Sequence, residues 1–422
     1  MIVVVHPTGN RNVRAILTGL FRAGLLSEFA TTLAFHRSSV WLRYLPAGSR
    51  GELLRRAYDI PVEFVHTRPW REVVRLAAGR GRLSGLARHE TGWASMDAVY
   101  RDLDEHAARR LPRLNNVRGV YAYEDGACHV FEAAGQMGLM RFYDLPIGYW
   151  RVARRLLEEE ATLQPEWAAT LTGNRDSPEK LARKDEELHR ADAVFVASSF
   201  TARTLAEAGM GAKPVHVVPY GAPTSPSAEA GTRRAKGAKL QVLFVGALGQ
   251  RKGLSYLLSA MKAVDGAAEL TLIGRPAGEP CGAVREATAK NRHIPSLPHE
   301  EILAEMRRHD VLVLPSLFEG FGLVLLEAMS QGLPVITTPH TAGPDIIAEG
   351  QEGFIVPIRS SDAIADRLAW LAGHREDVRT MGEAARAKAA TYSWVDYGAK
   401  TAAVIEQHLL PRRAHEAIVG SS

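Results

Sequence analysis

The sequence predicts an α/β protein built from doubly wound parallel sheets with helices packed on their faces. Strand-like and helix-like segments alternate along the 422 residues, and this alternation favours parallel sheets. A chain of this length can form two or three domains with sizeable cores. A stretch rich in proline, serine, glycine and alanine, 222–239, is typical of a linker. We therefore expect one α/β domain at 1–221 and a second at 240–394.

Short apolar runs predict the strands of both domains, and longer amphipathic runs predict helices. Helices are expected at 13–21 and 96–111. The expected strands share an apolar, partly β-branched composition; they are 3–6, 117–123, 215–219, 240–245, 270–273, 311–314 and 333–337.

Two carboxylates, Glu319 and Glu327, flank the sequence Gly-Phe-Gly-Leu-Val-Leu-Leu, directly after the predicted strand 311–314. Gly320 and Gly322 allow a tight strand-to-helix turn, which would aim free backbone N–H groups at an anion. Carboxylates accept hydrogen bonds strongly, and sugars are rich in hydroxyl donors. The pattern therefore predicts a nucleotide-sugar site in which both carboxylates face one pocket. The plainer interpretation is an exposed turn glutamate and a solvated helix glutamate.

Two cations, Arg251 and Lys252, follow another predicted strand and a turn that begins at Gly246. A nucleotide diphosphate leaving group requires positive charge as its bond to the sugar breaks. The strand before this pair and Gly253 after it favour a phosphate-binding turn over two unconnected surface cations.

Composition indicates a soluble globular protein, with 46% hydrophobic and 23% charged residues. No apolar run approaches the roughly 20 residues that span a bilayer. The N-terminus lacks a basic leader and predicts a buried strand rather than a signal peptide. The two cysteines, Cys128 and Cys281, are expected to be thiols, which is typical of a cytoplasmic protein.

The net charge of +5 has its densest basic excess in 37–118. Within that region, 70–76 is followed by Arg80, Arg82 and Arg88, which together can form a basic amphipathic surface. Such a surface can rest on an anionic membrane, so peripheral contact with the inner membrane face is one hypothesis. A solvated helix face is the plainer one. No nucleic-acid-binding motif accompanies the small surplus, so no nucleic-acid partner is expected.

The segment 315–335, Pro-Ser-Leu-Phe-Glu-Gly-Phe-Gly-Leu-Val-Leu-Leu-Glu-Ala-Met-Ser-Gln-Gly-Leu-Pro-Val, resembles the signature of family-four retaining glycosyltransferases. Other stretches resemble the same family in the expected order, namely 185–198, 218–221, 244–254 and 392–394. The resemblance is specific from about 180 to 410. It implies the GT-B fold, two Rossmann-like domains facing across a cleft, with a C-terminal helix within 395–422 crossing back to the first domain. Because the expected site residues are divided between the two halves of the chain, we also predict that the domains close about the linker near 222–239.

The resemblance implies a role for each residue of the turn regions. Glu319 would hold sugar hydroxyls, Glu327 the ribose, and Arg251 and Lys252 the departing diphosphate. The N–H groups after Gly320, at Phe321, Gly322 and Leu323, would hold sugar or phosphate oxygens. The donor's own phosphate would take the acceptor's proton, so no protein nucleophile is expected. No His/Cys spacing suggests a zinc site, so no metal is expected either, and no cofactor beyond the nucleotide-sugar donor.

The chain departs from its relatives at three points. Ala247 stands where many relatives carry arginine, and Gly9 followed by Asn10 stands where relatives often show paired glycines. Where relatives often place an acceptor-side histidine, Asp144 is the nearest polar group; it can orient the acceptor or cap a turn. His129 is expected to be structural.

Two acidic pairs are expected to be structural. Glu124 and Asp125 precede the helix of His129 and are expected to cap it first and to contact an acceptor second. Asp102 and Asp104 mimic a metal-binding Asp-x-Asp, but their charged helix predicts a solvated face instead.

Three functions remain open at this point. The first is a retaining glycosyltransferase, for which a hexose is the expected sugar and a hydroxyl group on a glycan, glycolipid or small molecule the acceptor. The second is an inactive nucleotide-sugar-binding partner subunit of the same fold, which Ala247 and the missing histidine favour. The third, a GT-B epimerase or phosphorylase, is disfavoured by the paired glutamates.

Overall fold

The computed structural model describes residues 1–35, 44, 56–78, 84–224, 239–278 and 281–410. Most of the predicted linker, 225–238, and the predicted basic residues Arg80 and Arg82 lie outside these ranges.

Strands and helices alternate through the described ranges, as the sequence predicts. The strands are β1 Ile2–Val5, β2 Leu26–Thr31, β3 Val65–Thr67, β4 Gly119–Tyr123, β5 Met140–Leu145, β6 Ala193–Val196, β7 Val215–Val217, β8 Leu240–Val245, β9 Ala268–Ile273, β10 Arg292–Ile294, β11 Val311–Leu314, β12 Val335–Thr337 and β13 Gly353–Ile355. The helices are α1 Arg11–Arg22, α2 Trp70–Ala78, α3 Met96–Arg110, α4 Cys128–Gln136, α5 Trp150–Leu163, α6 Pro178–Arg190, α7 Ser199–Glu207, α8 Leu254–Ala263, α9 Gly282–Lys290, α10 His299–Met306, α11 Leu323–Ser330, α12 Gly343–Ile346, α13 Ser361–Gly373, α14 Arg375–Ala389 and α15 Trp394–Leu409.

The strands form two sheets with doubly wound topology. One sheet has the order β3-β2-β1-β4-β5-β6-β7, and the other has the order β10-β9-β8-β11-β12-β13. Every neighbouring pair in the second sheet is parallel. The strand order reverses between β1 and β4 in the first sheet and between β8 and β11 in the second. Ligands of such sheets bind at the carboxyl ends of the strands beside this switch point.

The chain divides into two compact units. The N-terminal unit comprises Met1–Asp144, Ser177–Phe195 and Trp394–Ser422, and the C-terminal unit comprises Leu145–Asp176 and Val196–Ser393. Each has an apolar core in which its central strands are buried, for example β1 and β4 in one and β8 and β11 in the other. The burial of consecutive residues along these strands is typical of parallel sheets covered on both faces.

Local sequence explains where the strands begin and end. The apolar run 311–314 forms β11 with the predicted bounds, whereas the strand predicted at 333–337 begins only at Val335. Pro334 has no N–H to donate to a sheet, although its carbonyl accepts a hydrogen bond of 3.0 Å from Leu312.

Helix α15 packs closely on α1 within the N-terminal unit. A Cβ on Gly19 of α1 would lie 2.2 Å from the carbonyl oxygen of Gly398, and one on Gly398 would lie 2.1 Å from that of Ala15. The two glycines therefore permit an approach that alanine would prevent.

The Asp-x-Asp pair lies on α3, but the predicted solvated face is wrong. Asp104 is fully buried and accepts hydrogen bonds of 2.8 Å from the N–H groups of His129 and Val130, at the start of α4. Asp102 forms an ion pair of 3.0 Å with Arg68. Both carboxylates hold elements of the N-terminal unit together, which explains their spacing without a metal.

Both cysteines are free thiols, as predicted. In the part of the chain that the structure describes, no helix combines the length and apolarity that crossing a bilayer requires.

Candidate functional site

The first wall of the candidate site is the turn after β8, at the switch point of the second sheet. The strand ends at Val245, Gly246 follows with φ 150°, and a single 3-10 turn covers Gln250–Lys252. Gly253 then starts α8 in the left-handed conformation, with φ 71°. A Cβ at Gly253 would lie 2.0 Å from the carbonyl oxygen of Pro315, so only glycine fits between these two loops.

The second wall is the turn after β11, the neighbouring strand. Gly322 has φ 82° and precedes α11, which confirms the predicted strand-to-helix turn. The two walls are joined by a hydrogen bond of 2.9 Å from the Leu317 N–H to the Arg251 carbonyl. A Cβ on Gly320 would lie 1.9 Å from the carbonyl oxygen of Pro146, which lies in the same unit, so the backbone is tightly enclosed there.

Arg251, Lys252 and Glu319 form an ion cluster where the walls meet. The ammonium group of Lys252 donates a hydrogen bond to Glu319 Oε2, and Arg251 Nη1 lies 3.3 Å from Glu319 Oε1. Arg251 also donates a 2.8 Å hydrogen bond to the Phe318 carbonyl. The side chains of Lys252 and Glu319 are only 13% and 12% exposed. The structure thus brings together three residues that the sequence predicts for the site.

The cluster has well-defined electrostatics. Burial alone would raise the pKa of Glu319, but the charges of Lys252 and Arg251 outweigh it and hold the pKa below its ordinary value. Burial lowers the pKa of Lys252, and Glu319 opposes that lowering. With two cations and one carboxylate, the cluster carries a net charge of +1 and favours an anion.

Backbone donors lie next to the cluster. Among the described residues, no hydrogen-bond acceptor is seen for the N–H groups of Phe321, Gly322 and Leu323, which lie at the positive end of α11. A cation pair beside free N–H groups can bind a phosphate, and Glu319 can accept hydrogen bonds from sugar hydroxyls.

Residues that the sequence analysis did not assign to the site hold its second wall. Ser198 Oγ and Thr201 Oγ1, at the start of α7, both donate to the Gly320 carbonyl, the latter at 3.1 Å. Thr201 N also donates to Ser198 Oγ at 3.2 Å. The Ser-Ser-Phe-Thr sequence after β6 predicts a helix cap. The hydrogen bonds from these hydroxyl groups to the Gly320 carbonyl could not be predicted from it, because Gly320 is about 120 residues away in the chain.

Glu327 lies in the second turn of α11, as predicted. Its ion-pair partner differs from the cations that contact Glu319. Its Oε1 lies 3.8 Å from Nδ1 of His299, the first residue of α10. The carboxylate is about one-fifth exposed and so remains accessible to a ligand. The structure therefore places Glu319 with the cations and Glu327 with a histidine.

Gly9 and Asn10 lie after β1, at the switch point of the first sheet. Gly9 is buried, whereas Asn10 is exposed and precedes α1 without a capping hydrogen bond from its side chain. The loop before them is held by His6, whose Nδ1 lies within hydrogen-bond distance of both the carbonyl oxygen and the N–H of Thr8, the latter at 3.0 Å. Burial lowers the pKa of His6 to about 4, so the ring is uncharged at neutral pH.

Asp144 lies within β5 of the N-terminal unit and is only 3% exposed. Its Oδ2 accepts a 2.6 Å hydrogen bond from the hydroxyl of Tyr121 on β4. Burial raises the pKa of Asp144 to about 7, against the hydrogen bonds of Tyr121 and Tyr123, which lower it. A carboxyl with this pKa exchanges a proton near neutral pH, which suits either an acceptor-side role or a buried structural one.

The raised pKa of Asp144 predicts a pH-dependent effect of Asp144→Asn on stability. Because the folded chain keeps a proton that the unfolded chain releases, ionising Asp144 costs stability progressively between its ordinary pKa of 3.8 and about 7. The variant lacks this cost. Relative to the natural protein, its free energy of unfolding should therefore improve as the pH rises from 4 to 7. Urea unfolding at both pH values measures the difference; an identical difference at the two would contradict the prediction.

The start of α4 corrects one sequence prediction and confirms another. Glu124 and Asp125 do not cap this helix. Asp104 bonds its first N–H groups, and Glu187 accepts from the N–H groups of Asp125 and Ala127 at 2.8 and 3.0 Å. Sequence proximity misled here because both capping carboxylates come from other helices. His129 pairs with Asp104 at 2.9 Å, which confirms its structural role.

Comparison with known proteins finds matches in the C-terminal part of the chain. Residues 230–388 match the family model described as glycosyl transferases group 1. The chain is 34% identical over 166 residues to D-inositol 3-phosphate glycosyltransferase of Corynebacterium glutamicum (strain R), a match covering 36% of this chain and 40% of that relative. It is 32% identical over 167 residues to the amylovoran biosynthesis glycosyltransferase AmsK of Erwinia amylovora, again covering 36% and 40%. The matched regions thus span less than half of these relatives' length.

Solved structures resemble nearly the whole chain. Sucrose-phosphate synthase from Thermosynechococcus elongatus aligns with a TM-score of 0.65 and 16% identity, covering 96% of this chain and 98% of that one. HepE of Anabaena, in complex with UDP-glucose, aligns with a TM-score of 0.60 and 15% identity, covering 96% and 99%. At such identities the likeness shows the fold alone, and it confirms the predicted GT-B class with two Rossmann-like domains.

Proposed function

We propose that the protein transfers a sugar from a nucleotide-diphosphate sugar to a hydroxyl acceptor, with retention of anomeric configuration, since residues 230–388 match the family model of the glycosyl transferases group 1. The observation that carries this proposal is the ion cluster of Arg251, Lys252 and Glu319 at the switch point of the second sheet. Its net positive charge and neighbouring N–H groups suit a diphosphate, and its carboxylate suits a sugar.

Each member of the cluster has a task in the proposed reaction. Arg251 and Lys252 stabilise the negative charge that develops on the leaving diphosphate, and Glu319 keeps both cations in place before substrate arrives. Glu319 also accepts hydrogen bonds from the sugar. The acceptor's proton passes to a phosphate oxygen of the donor, so orientation and charge stabilisation supply the catalysis.

A uridine diphosphate sugar is the first donor to test. HepE is described in complex with UDP-glucose, and the pneumococcal transferase GtfA in complex with UDP and GlcNAc. The backbone N–H groups beside the ion cluster bind the diphosphate whatever the base is. The base must therefore be selected elsewhere in the C-terminal unit.

A panel of nucleoside diphosphates tests the donor proposal without knowledge of the acceptor. UDP, GDP and ADP are added separately, and the melting temperature of the protein is measured with and without EDTA. Selective stabilisation by one diphosphate is expected, since a ligand that binds only the folded state raises its stability. We propose that no divalent metal is required, so EDTA should leave the shift unchanged. Equal, negligible shifts with all three would count against a nucleotide site.

Glu327 is proposed to bind the ribose of the donor. Replacing it with alanine should weaken binding of the preferred nucleoside diphosphate by about 1.5–3 kcal/mol, the contribution of one hydrogen bond to a charged group. Isothermal titration calorimetry on the bare nucleotide measures this change. The matched control is Glu383→Ala, which removes a carboxylate that is 64% exposed on α14. If the affinity of Glu327→Ala equals that of the control, Glu327 has no ribose contact.

The acceptor is proposed to bind the N-terminal unit, where Asp144 is the candidate contact, whereas a backbone N–H of Gly9 or Asn10 is the candidate contact for a diphosphate oxygen. Asp144→Asn separates the two roles that its burial allows. An acceptor-side role predicts lower turnover in a stable variant, whereas a structural role predicts turnover near that of the natural protein.

An inactive nucleotide-sugar-binding subunit is the second candidate function, and the observation that favours it is Ala247 in place of arginine. Both functions predict nucleotide binding. Only the first predicts release of nucleoside diphosphate from a nucleotide sugar, so donor turnover separates them.

We further propose peripheral contact with an anionic membrane through the N-terminal unit. Trp70 and Trp93 are 68% and 51% exposed, and the guanidinium of Arg71 lies 4.7 Å from the Trp93 ring. Aromatic and basic groups together favour the interface of anionic bilayers. Co-sedimentation should show binding to phosphatidylglycerol-containing vesicles, little binding to pure phosphatidylcholine, and a loss in Trp70→Ser. Absence of binding to either vesicle would refute this contact.

A further inference from the structure

We infer that Glu160, a buried carboxylate of α5 outside the ion cluster, is a positioning residue that fixes the turn carrying Arg251 and Lys252. This inference rests on the proposed function, because it assigns those two cations to a diphosphate. Glu160 is 0% exposed and lies in the C-terminal unit together with the cluster.

The link between Glu160 and the cations is Gln250, the first residue of the turn. Its side chain is fully buried, and its Nε2 donates 2.6 Å hydrogen bonds to both Glu160 Oε1 and Ser255 Oγ. Its Oε1 accepts from the Ser255 N–H at 3.2 Å, and its own N–H donates to Thr170 Oγ1 at 2.9 Å. Both the nitrogen and the oxygen of the side-chain amide are thus hydrogen-bonded. Arg251 is the next residue along the chain, so fixing Gln250 helps to fix Arg251.

Glu160 is itself held by two further groups. Tyr256 donates its hydroxyl to Oε1 at 2.8 Å, and Arg359 donates Nε to Oε2 at 2.7 Å. Arg359 neutralises the carboxylate while adopting φ 62°, a conformation that a non-glycine residue keeps only where its surroundings enforce it. The buried Glu160 carboxylate accepts hydrogen bonds at both oxygens, and such a network fixes the position of the side chain.

The turn is therefore anchored on two sides. On the substrate side, Arg251 bonds the second wall through the Leu317 N–H and the Phe318 carbonyl. On the inner side, Gln250 is anchored by Glu160. Glu160→Gln would turn one acceptor oxygen into an NH₂ donor facing Gln250, Tyr256 or Arg359, all of which donate. The glutamine keeps one acceptor oxygen for three donors and loses the negative charge, so the hydrogen bonding that anchors Gln250 is weakened while the shape of the side chain is kept.

Glu159→Gln is the matched control. Glu159 is the preceding residue of the same helix and forms an ion pair of 3.0 Å with the same Arg359, but its side chain is 55% exposed and has no bond to Gln250 among the described contacts. Both variants remove one negative charge beside Arg359. Only Glu160→Gln weakens the hydrogen bonds that hold the turn at Gln250–Lys252.

The test compares affinity for the nucleoside diphosphate that stabilises the natural protein most with affinity for the monophosphate of the same base. Glu160→Gln should lower diphosphate affinity about 10-fold, because small displacements of positioned groups cost this much or more. Its affinity for the monophosphate should change less than 2-fold, and Glu159→Gln should change neither affinity.

In a Lys252→Ala background, Glu160→Gln should have a smaller effect on diphosphate affinity, because the two residues act through one turn. Equal losses for both nucleotides, or an undiminished effect in that background, would overturn the inference.

Hydrogen exchange distinguishes failure of this inference from failure of the proposed function. Without any ligand, Glu160→Gln should speed amide exchange in 249–253 but not throughout the C-terminal unit, and Glu159→Gln should not. Faster exchange confined to the turn in a protein that binds no nucleotide would retain the positioning role and reject the function. Unchanged exchange would reject the positioning role. If Glu160→Gln does not fold, Thr170→Val, which removes the acceptor of the Gln250 N–H, is measured against the same criteria.

Discussion

Lys252→Ala and Glu319→Ala should each lower turnover on the cognate donor by roughly 10²–10³-fold, the scale of losing one preorganised transition-state contact. Lys252 is buried against Glu319, so its charge acts where water screens it little. Removing Glu319 should have two effects, because it deletes the proposed sugar contact and leaves the charges of Arg251 and Lys252 unbalanced. Steady-state kinetics with saturating donor measures the loss.

The control for these variants is Lys290→Ala. Lys290 pairs with Glu286 at 2.7 Å on the surface of α9, and its side chain is 66% exposed. Its removal should leave turnover within experimental error. Turnover equal to that of the natural protein in a folded Lys252→Ala variant would show that Lys252 has no role in the reaction.

Gly253→Ala should lower the free energy of unfolding by about 3–5 kcal/mol, a large loss for a single methyl addition. Two effects combine. An alanine at φ 71° adopts the left-handed conformation at a cost of about 1–2 kcal/mol. Its Cβ would also lie 2.0 Å from the Pro315 carbonyl oxygen, so the loops after β8 and β11 must separate.

Gly266→Ala isolates the first of these effects. Gly266 has φ 77°, close to that of Gly253, but a Cβ there would have no heavy atom within 4 Å. We expect it to cost only about 1–2 kcal/mol. Urea unfolding of both variants gives the difference, and the nucleotide affinity of Gly253→Ala should fall as well. If both glycines tolerate alanine equally, the two loops are not in the close contact on which the site depends.

The turn after β11 was predictable because its signals are local. An apolar run ends, glycines at 320 and 322 permit the turn, and an apolar helix follows; these features all lie within the consecutive residues 311–330. The same reasoning found Arg251 and Lys252 after β8. It did not predict that these cations would pair with Glu319, because that contact depends on β8 and β11 being neighbours in the sheet.

Long-range partners explain where the sequence analysis was incomplete or wrong. Asp104 was expected in solvent but is buried, since the start of α4 requires its carboxylate. Glu160 carried no motif, because its role depends on contacts with Gln250 and Arg359, about 90 and 200 residues away in the chain. A carboxylate acquires such a role only when the fold surrounds it with donors.

The most direct test of the account is donor turnover by the natural protein, followed by NMR of the product. The protein is incubated with the nucleotide sugar whose diphosphate stabilises it, together with a panel of hydroxyl acceptors, and the released diphosphate is quantified. The account predicts release that depends on acceptor, a product with the donor's anomeric configuration, and the loss of both in Lys252→Ala. Tight nucleotide binding with no release from any nucleotide sugar would contradict it and identify the chain as a binding subunit.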